Sequence, residues 1–208
     1  VMRFFNRSEW TSGVKASEVV AHPLTAANGV AVKTVVLHHS VTGRAPALAK
    51  AQAIEQYHSG PKTEFFDVAY NFLVSASDSS VFEGRGALVQ GGATGAGMDA
   101  KSLSVCAIGN FEDSQVPEVL LNNLVDLLSK LVADGYVSPD FVLRPHSDFK
   151  ATACCGVNLV REIPGVVDRV KHLGKPAGVG VAPVAAPVGP VKYSDAQKLA
   201  WISQILEM

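Results

Sequence analysis

Cysteine is scarce in this chain, net charge is close to nil, and no apolar run is long. Three cysteines in 208 residues, Cys106, Cys154 and Cys155, cannot build a disulfide framework, because one is always left over. That count fits synthesis in a reducing compartment and leaves a thiolate able to hold a metal. A net charge of −1 gives no basic excess for holding a polyanion, which disfavours nucleic-acid binding as the main task. The apolar stretches stop well short of the roughly 18–20 residues that span a bilayer. The opening Val1-Met2-Arg3-Phe4-Phe5 has no signal-peptide pattern, so a chain acting outside the cell would need another route of release or a leader already removed. No internal repeat is present. Hydrophobic residues at 48% and charged residues at 18% give the composition of a folded globular domain rather than a disordered chain.

Composition changes near Gly174. The stretch 174–191 holds four of the 11 prolines and four glycines among Ala and Val. Repeated proline removes backbone donors and favours extended structure, which predicts a semi-rigid linker. A short helix is expected over 192–208, with Ser194 as N-cap, either packed on the main body or opening a truncated C-terminal module. Residues 1–173 should then hold one full domain. Val30–His38 and Leu103–Ile108 predict buried strands, and Val68–Ser75 with Val81–Glu83 predicts a hairpin. Ala47–Tyr57, Val119–Val132 and Val157–His172 predict helices, the last bent at Pro164. Strands interleaved with helices imply an α/β domain.

Three segments carry the candidate chemistry. Leu37-His38-His39-Ser40 lies at the end of a buried strand, where successive side chains point to opposite faces, so only one histidine can face a given site. Arg144-Pro145-His146-Ser147-Asp148 supplies another histidine. Ala153-Cys154-Cys155-Gly156 places a thiol eight residues after His146. Two histidines and one cysteine form a set that zinc accepts with a fourth position open to water. The same set suits blue copper, but Met2, Met98 and Met208 all lie away from these segments, so no axial ligand is evident.

With these pieces in order, the sequence resembles the type-2 N-acetylmuramoyl-L-alanine amidases, a family that includes phage endolysins and the peptidoglycan recognition proteins. Five segments carry the likeness: Arg7-Ser8-Glu9-Trp10, Val35-Val36-Leu37-His38-His39-Ser40, Asp67 to Val74, Val81 to Gly86, and His146-Ser147-Asp148 followed by Thr152 and Cys154. The resemblance implies a central mixed sheet of five to six strands flanked by helices, with a zinc site in a surface cleft at the sheet edge. It implies one zinc ion on His38, His146 and Cys154, with Tyr70 beside the attacking water and Thr152 donating to the oxyanion. His58 and Asn110 are candidate peptidoglycan contacts, Asn110 being equally suited to a simple turn. The activity implied is hydrolysis of the amide between N-acetylmuramic acid and L-alanine. A monomeric phage endolysin is expected, held in the host cytoplasm until release and needing no membrane insertion or nucleic-acid partner. The alternative is a recognition module that binds peptidoglycan without cutting it, although such members typically lack the ligand cysteine.

The chain departs from the family pattern in three places. Cys155 stands where proline usually follows the ligand cysteine. Gly91-Gly92-Ala93-Thr94 replaces a segment that often carries histidine. Cys106 takes an inner-strand position where a subset of relatives has glutamate, and the expectation for it is a buried core thiol. Trp10 is expected to pack beneath the N-terminal segment, and His22 and His172 to be solvated or capping.

Overall fold

The computed structural model describes residues 2–11, 21–61, 63, 65, 67–95 and 97–173. The expected linker and the helix over 192–208 lie outside the described residues. The elements are β1 (Arg3–Phe5), α1 (Arg7–Trp10), β2 (Val32–His39), α2 (Ala47–His58), β3 (Phe72–Val74), β4 (Ser80–Glu83), β5 (Ser102–Ala107), α3 (Glu118–Ala133), β6 (Val137–Pro145) and α4 (Val157–Leu173). A 3₁₀ turn, His146–Asp148, follows β6 directly.

Among the described residues six strands form one mixed sheet in the order β1-β4-β3-β5-β2-β6. β4 runs antiparallel to β3 in the expected hairpin, whereas β3, β5, β2 and β6 are mutually parallel. β5 and most of β2 are buried on both faces, as their unbroken apolar runs require. One face packs on α3 and α4 through Leu120, Leu124, Leu127, Leu128 and Leu131 of α3 and Leu159, Val166 and Val170 of α4. The other face packs on α2 through Ala47, Ala51 and Ile54, with Trp10 beneath α1. α3 takes Pro117 as its N-cap residue and ends before Gly135, whose φ of +79° suits a glycine at a helix terminus.

Several boundaries differ from the sequence reading. The strand expected over 68–75 forms its ladder only at Phe72–Val74. Ahead of it the Ala69, Tyr70 and Asn71 carbonyls accept instead from Gly92, Arg85 and Gly84, so that stretch is spent on loop contacts. α4 continues through Pro164, which removes one i→i−4 bond without ending the helix. β1, α1 and β6 have no counterpart in the sequence reading. β6 contains Pro139 and Pro145, which argue against a central strand. It forms because it lies at the sheet edge, where a missing donor is tolerated.

The Arg-Ser-Glu-Trp segment is a structural clamp. Glu9 Oε2 accepts the Asn6 N–H at 2.7 Å, closing the first turn of α1. The Trp10 indole donates to the Glu83 carbonyl at 2.8 Å, and the ring is fully buried against Phe82, as expected of a packing residue. Arg7 pairs with buried Glu55 on α2 and with Asp67 ahead of β3. One short helix thereby ties α2, β4 and the Tyr70 segment together.

Candidate metal centre

The parallel strands β2 and β6 end side by side, and their C-terminal ends supply the two histidines. His38 is the penultimate residue of β2, and His146 follows β6 at the first position of the 3₁₀ turn. The period-two alternation sends His38 and His39 apart. The His38 ring lies 4.4 Å from the His146 ring and 5.3 Å from the Tyr70 ring, centre to centre. The His39 ring turns the other way, where its Nδ1 accepts the Phe111 N–H at 3.2 Å.

Cys154 arrives from the loop before α4. Gly156 makes that approach possible: its φ is +92°, and a Cβ there would stand 2.4 Å from the Phe111 backbone. The Cys154 sulfur lies 3.8 Å from His38 Nδ1 and accepts the His39 N–H at 3.3 Å. Among the described residues His38, His146 and Cys154 form a group whose ligand atoms all lie within 4.8 Å of one another. Cys155 is absent from it, being fully buried in the larger core cluster.

The donor set fits zinc on observation as well as on type. Tetrahedral zinc with nitrogens at about 2.0–2.1 Å and sulfur at about 2.3 Å sets its ligands roughly 3.3–3.6 Å apart, near the His38–Cys154 spacing found. His146 Nε2 is a buried nitrogen with no hydrogen-bond partner, an arrangement that costs free energy unless something binds there. Burial holds His38 well below the usual imidazole range, with His146 and His39 adding to the effect, so the ring stays neutral. Burial also lowers His146, opposed by the Thr94 backbone carbonyl, which favours a protonated ring. Burial pushes the Cys154 thiol up to about 11, opposed by the His39 N–H. A cation bound there must therefore displace the thiol proton.

Tyr70 and His58 form the adjoining wall. The Tyr70 carbonyl approaches Gly84 so closely that a Cβ on Gly84 would stand 2.2 Å from it, so this glycine fixes where Tyr70 sits. Burial raises the Tyr70 phenol well above its ordinary range, helped by Cys106 and Cys154, so it keeps its proton. Cys106 is a fully buried core thiol, beside the Tyr70 phenol and donating to the Ala107 carbonyl at 3.7 Å. The His58 ring is 5.3 Å from that of Tyr70, and its Nδ1 accepts the Ala69 N–H at 3.0 Å. Burial, with Arg85 adding, lowers His58 to about 4, so the ring is neutral and carries its proton on Nε2.

The remaining candidates are placed less centrally. Thr152 is exposed, and its Oγ1 accepts the Cys154 N–H at 3.2 Å, which leaves its own O–H to donate elsewhere. Asn110 uses its side chain in a turn, accepting from the Glu112 N–H and donating to Asp113. His22 is not solvated. It is fully buried, its Nδ1 accepting the Leu24 and Thr25 N–H groups at 3.3 and 3.4 Å, so it caps a turn from inside. His172 is exposed near the end of α4, its Nδ1 beside the Asp168 carbonyl. Sequence reasoning assigned no role to Thr94, Ser104 or Asp99, which stand behind the histidines. The available signal was a polar residue at the site of an expected histidine.

Comparison with known proteins gives a consistent family. A family model described as N-acetylmuramoyl-L-alanine amidase matches residues 28–157. Peptidoglycan-recognition protein SA of Drosophila melanogaster is 35% identical over 136 residues, covering 64% of this chain and 66%, just under two thirds, of that protein. The solved structure of bumblebee PGRP-SA superposes with a TM-score of 0.70 at 28% identity, covering 79% of this chain and 95% of that one. Peptidoglycan recognition protein-LE, solved in complex with tracheal cytotoxin, a monomeric diaminopimelic acid-type peptidoglycan, gives 0.68 at 29%, with 78% and 92% coverage.

Proposed function

The chain belongs to the N-acetylmuramoyl-L-alanine amidase family, and from that premise we propose that it is a zinc-dependent hydrolase of the amide between N-acetylmuramic acid and the stem-peptide L-alanine. The observation that carries this reading is the convergence of His38, His146 and Cys154, whose ligand atoms lie within 4.8 Å of one another, with the Tyr70 ring alongside. When bound, one zinc ion lowers the pKa of a water toward about 7 and polarises the scissile carbonyl.

The chain's own groups do the rest. The neutral His38 and His146 rings and the Cys154 sulfur would hold the ion. Tyr70, kept protonated by burial, donates its O–H to orient the attacking water or the carbonyl oxygen. Thr152 donates its hydroxyl to the developing oxyanion while its oxygen stays tied to the Cys154 N–H. His58 presents Nε2–H as a neutral donor to the substrate, and Asn110 is a peptide contact only where its turn leaves an edge exposed. The partner is peptidoglycan, and nothing in the residues calls for more than a monomer. Among the described residues no helix is long and apolar enough to cross a membrane. The expectation of a phage endolysin waiting in a host cytoplasm gains no support from the relatives compared above, none of which is named as a phage protein, so the proposal concerns the chemistry.

One observation favours the alternative of a binding module that does not cut: those relatives are named for recognition. Incubation with a soluble muropeptide separates the two. The hydrolase yields free muramic acid glycan and a stem peptide with a new L-alanine amino terminus. A recognition module binds the muropeptide and returns it unchanged.

A further inference from the structure

Behind His38 lies Thr94, whose Oγ1 is 3.3 Å from His38 Nε2. Thr94 is itself almost fully buried and sits in a rigid setting. The Asp99 carboxylate accepts the Thr94 and Gly95 N–H groups, both at 3.0 Å, which fixes the turn that presents the hydroxyl. On its far side Thr94 Oγ1 lies 3.0 Å from Ser104 Oγ. Ser104 is anchored in turn, its N–H donating to Asn71 Oδ1 at 2.7 Å, while Asn71 Nδ2 donates to the Gly86 and Val89 carbonyls.

A hydroxyl has one proton to give, and zinc on His38 Nδ1 would select its direction, because a ligand nitrogen must present a lone pair. Thr94 Oγ1 would then accept from His38 Nε2–H and donate to Ser104 Oγ. That places the His38 proton on Nε2 and leaves the Nδ1 lone pair bare. Nδ1 is the nitrogen that faces the Cys154 sulfur at 3.8 Å. A ligand histidine whose second nitrogen is held this way keeps its tautomer and ring orientation, and losing such a partner typically weakens metal binding about 10- to 100-fold.

We propose that Thr94 is the positioning residue of the metal centre: its hydroxyl locks His38 in the Nε2–H tautomer, and the Ser104 hydroxyl, carried on a backbone anchored to Asn71, accepts the Thr94 proton. This rests on the zinc reading of the site. It also explains how the chain manages with threonine where a histidine was expected. The hydroxyl serves the ligand histidine from behind and need not contact substrate.

The test compares Thr94→Val, which keeps the shape and removes the hydroxyl, with Thr94→Ser, which keeps the hydroxyl. Zinc affinity is read by competition with a chromophoric chelator. The His38 tautomer is read from ring nitrogen shifts in ¹⁵N-labelled, metal-free protein. The expected result is a zinc dissociation constant raised about 10- to 100-fold in Thr94→Val and within about threefold of wild type in Thr94→Ser. Wild type should show His38 as Nε2–H, and Thr94→Val a mixture of tautomers. Wild-type affinity in Thr94→Val, an equal loss in both variants, or an Nδ1–H tautomer in wild type overturns the inference while leaving the zinc site standing. Wild-type protein that binds no zinc removes the zinc reading, and the inference with it. Should Thr94→Val fail to fold, Ser104→Ala removes the acceptor of the Thr94 proton and is expected to shift the His38 tautomer in the same direction; an unchanged tautomer there counts against the proposal.

Discussion

Cys154 and Cys155 are adjacent, yet the chain directs them to different surroundings. Cys154 turns its sulfur toward His38 Nδ1, whereas Cys155 is enclosed in the core and its thiol is pushed up to about 12 by burial. Cys154→Ser should therefore lose most bound zinc and most hydrolysis. Cys155→Ser should keep both and lose about 1–3 kcal/mol of stability from the buried hydroxyl. Metal analysis and denaturant melts of the two variants check this, and equal zinc loss would reverse the ligand choice. Tyr70→Phe retains the ring that packs beside His38 and removes only the phenol. Zinc should remain bound while turnover falls by roughly 10²-fold or more; unchanged turnover would reduce Tyr70 to packing. The choice between neighbours was partly legible in the residues, because strand alternation alone separates His38 from His39. The hydrogen bonds of Thr94, Ser104 and Asp99 were not legible, since they join residues distant in sequence through a loop with no periodicity.

At the level of elements, α2 is fastened to the Tyr70 segment by His58. The Ala69 N–H donates to His58 Nδ1, so that nitrogen must stay unprotonated. Its folded pKa of about 4 lies below the ordinary 6.5, with burial the first cause and Arg85 the second. A depressed pKa contributes stability that is fully present above about pH 6.5 and lost as pH falls toward 4. The urea midpoint of the metal-free protein should decline across that window, and His58→Gln should flatten the decline. A His58→Gln slope equal to that of wild type would show that other groups govern acid sensitivity. α3 makes a simpler case. Leu127 is fully buried on the face that meets the sheet, so Leu127→Ala should cost about 2–5 kcal/mol in a thermal or denaturant melt. α3 was plain in the sequence because its leucines repeat at helical spacing and Pro117 and Gly135 bracket it. β6 was hidden because two prolines mask a strand that survives only at an edge. β1 and α1 were hidden because elements of three and four residues have too few positions to show a period.

Across the whole molecule, the sheet is closed by two apolar clusters, one on α3 and α4 and the other on α2 and Trp10. His38 and His146 belong to neither cluster, and Cys154 only packs against the edge of the larger one. A chelator should consequently abolish hydrolysis while the far-ultraviolet circular dichroism of a folded α/β domain persists, with a lowered melting temperature from the lost ion. Unfolding on chelation would make the site a structural one. The near-neutral charge of the chain leaves bulk positive charge little part in any affinity for the wall. Mass spectrometry of purified bacterial cell walls digested by protein of measured zinc content tests the central claim most directly. One zinc per chain together with released stem peptides bearing a new L-alanine amino terminus is the predicted result. Intact amide bonds in walls of several chemotypes, with zinc bound one to one, would contradict it.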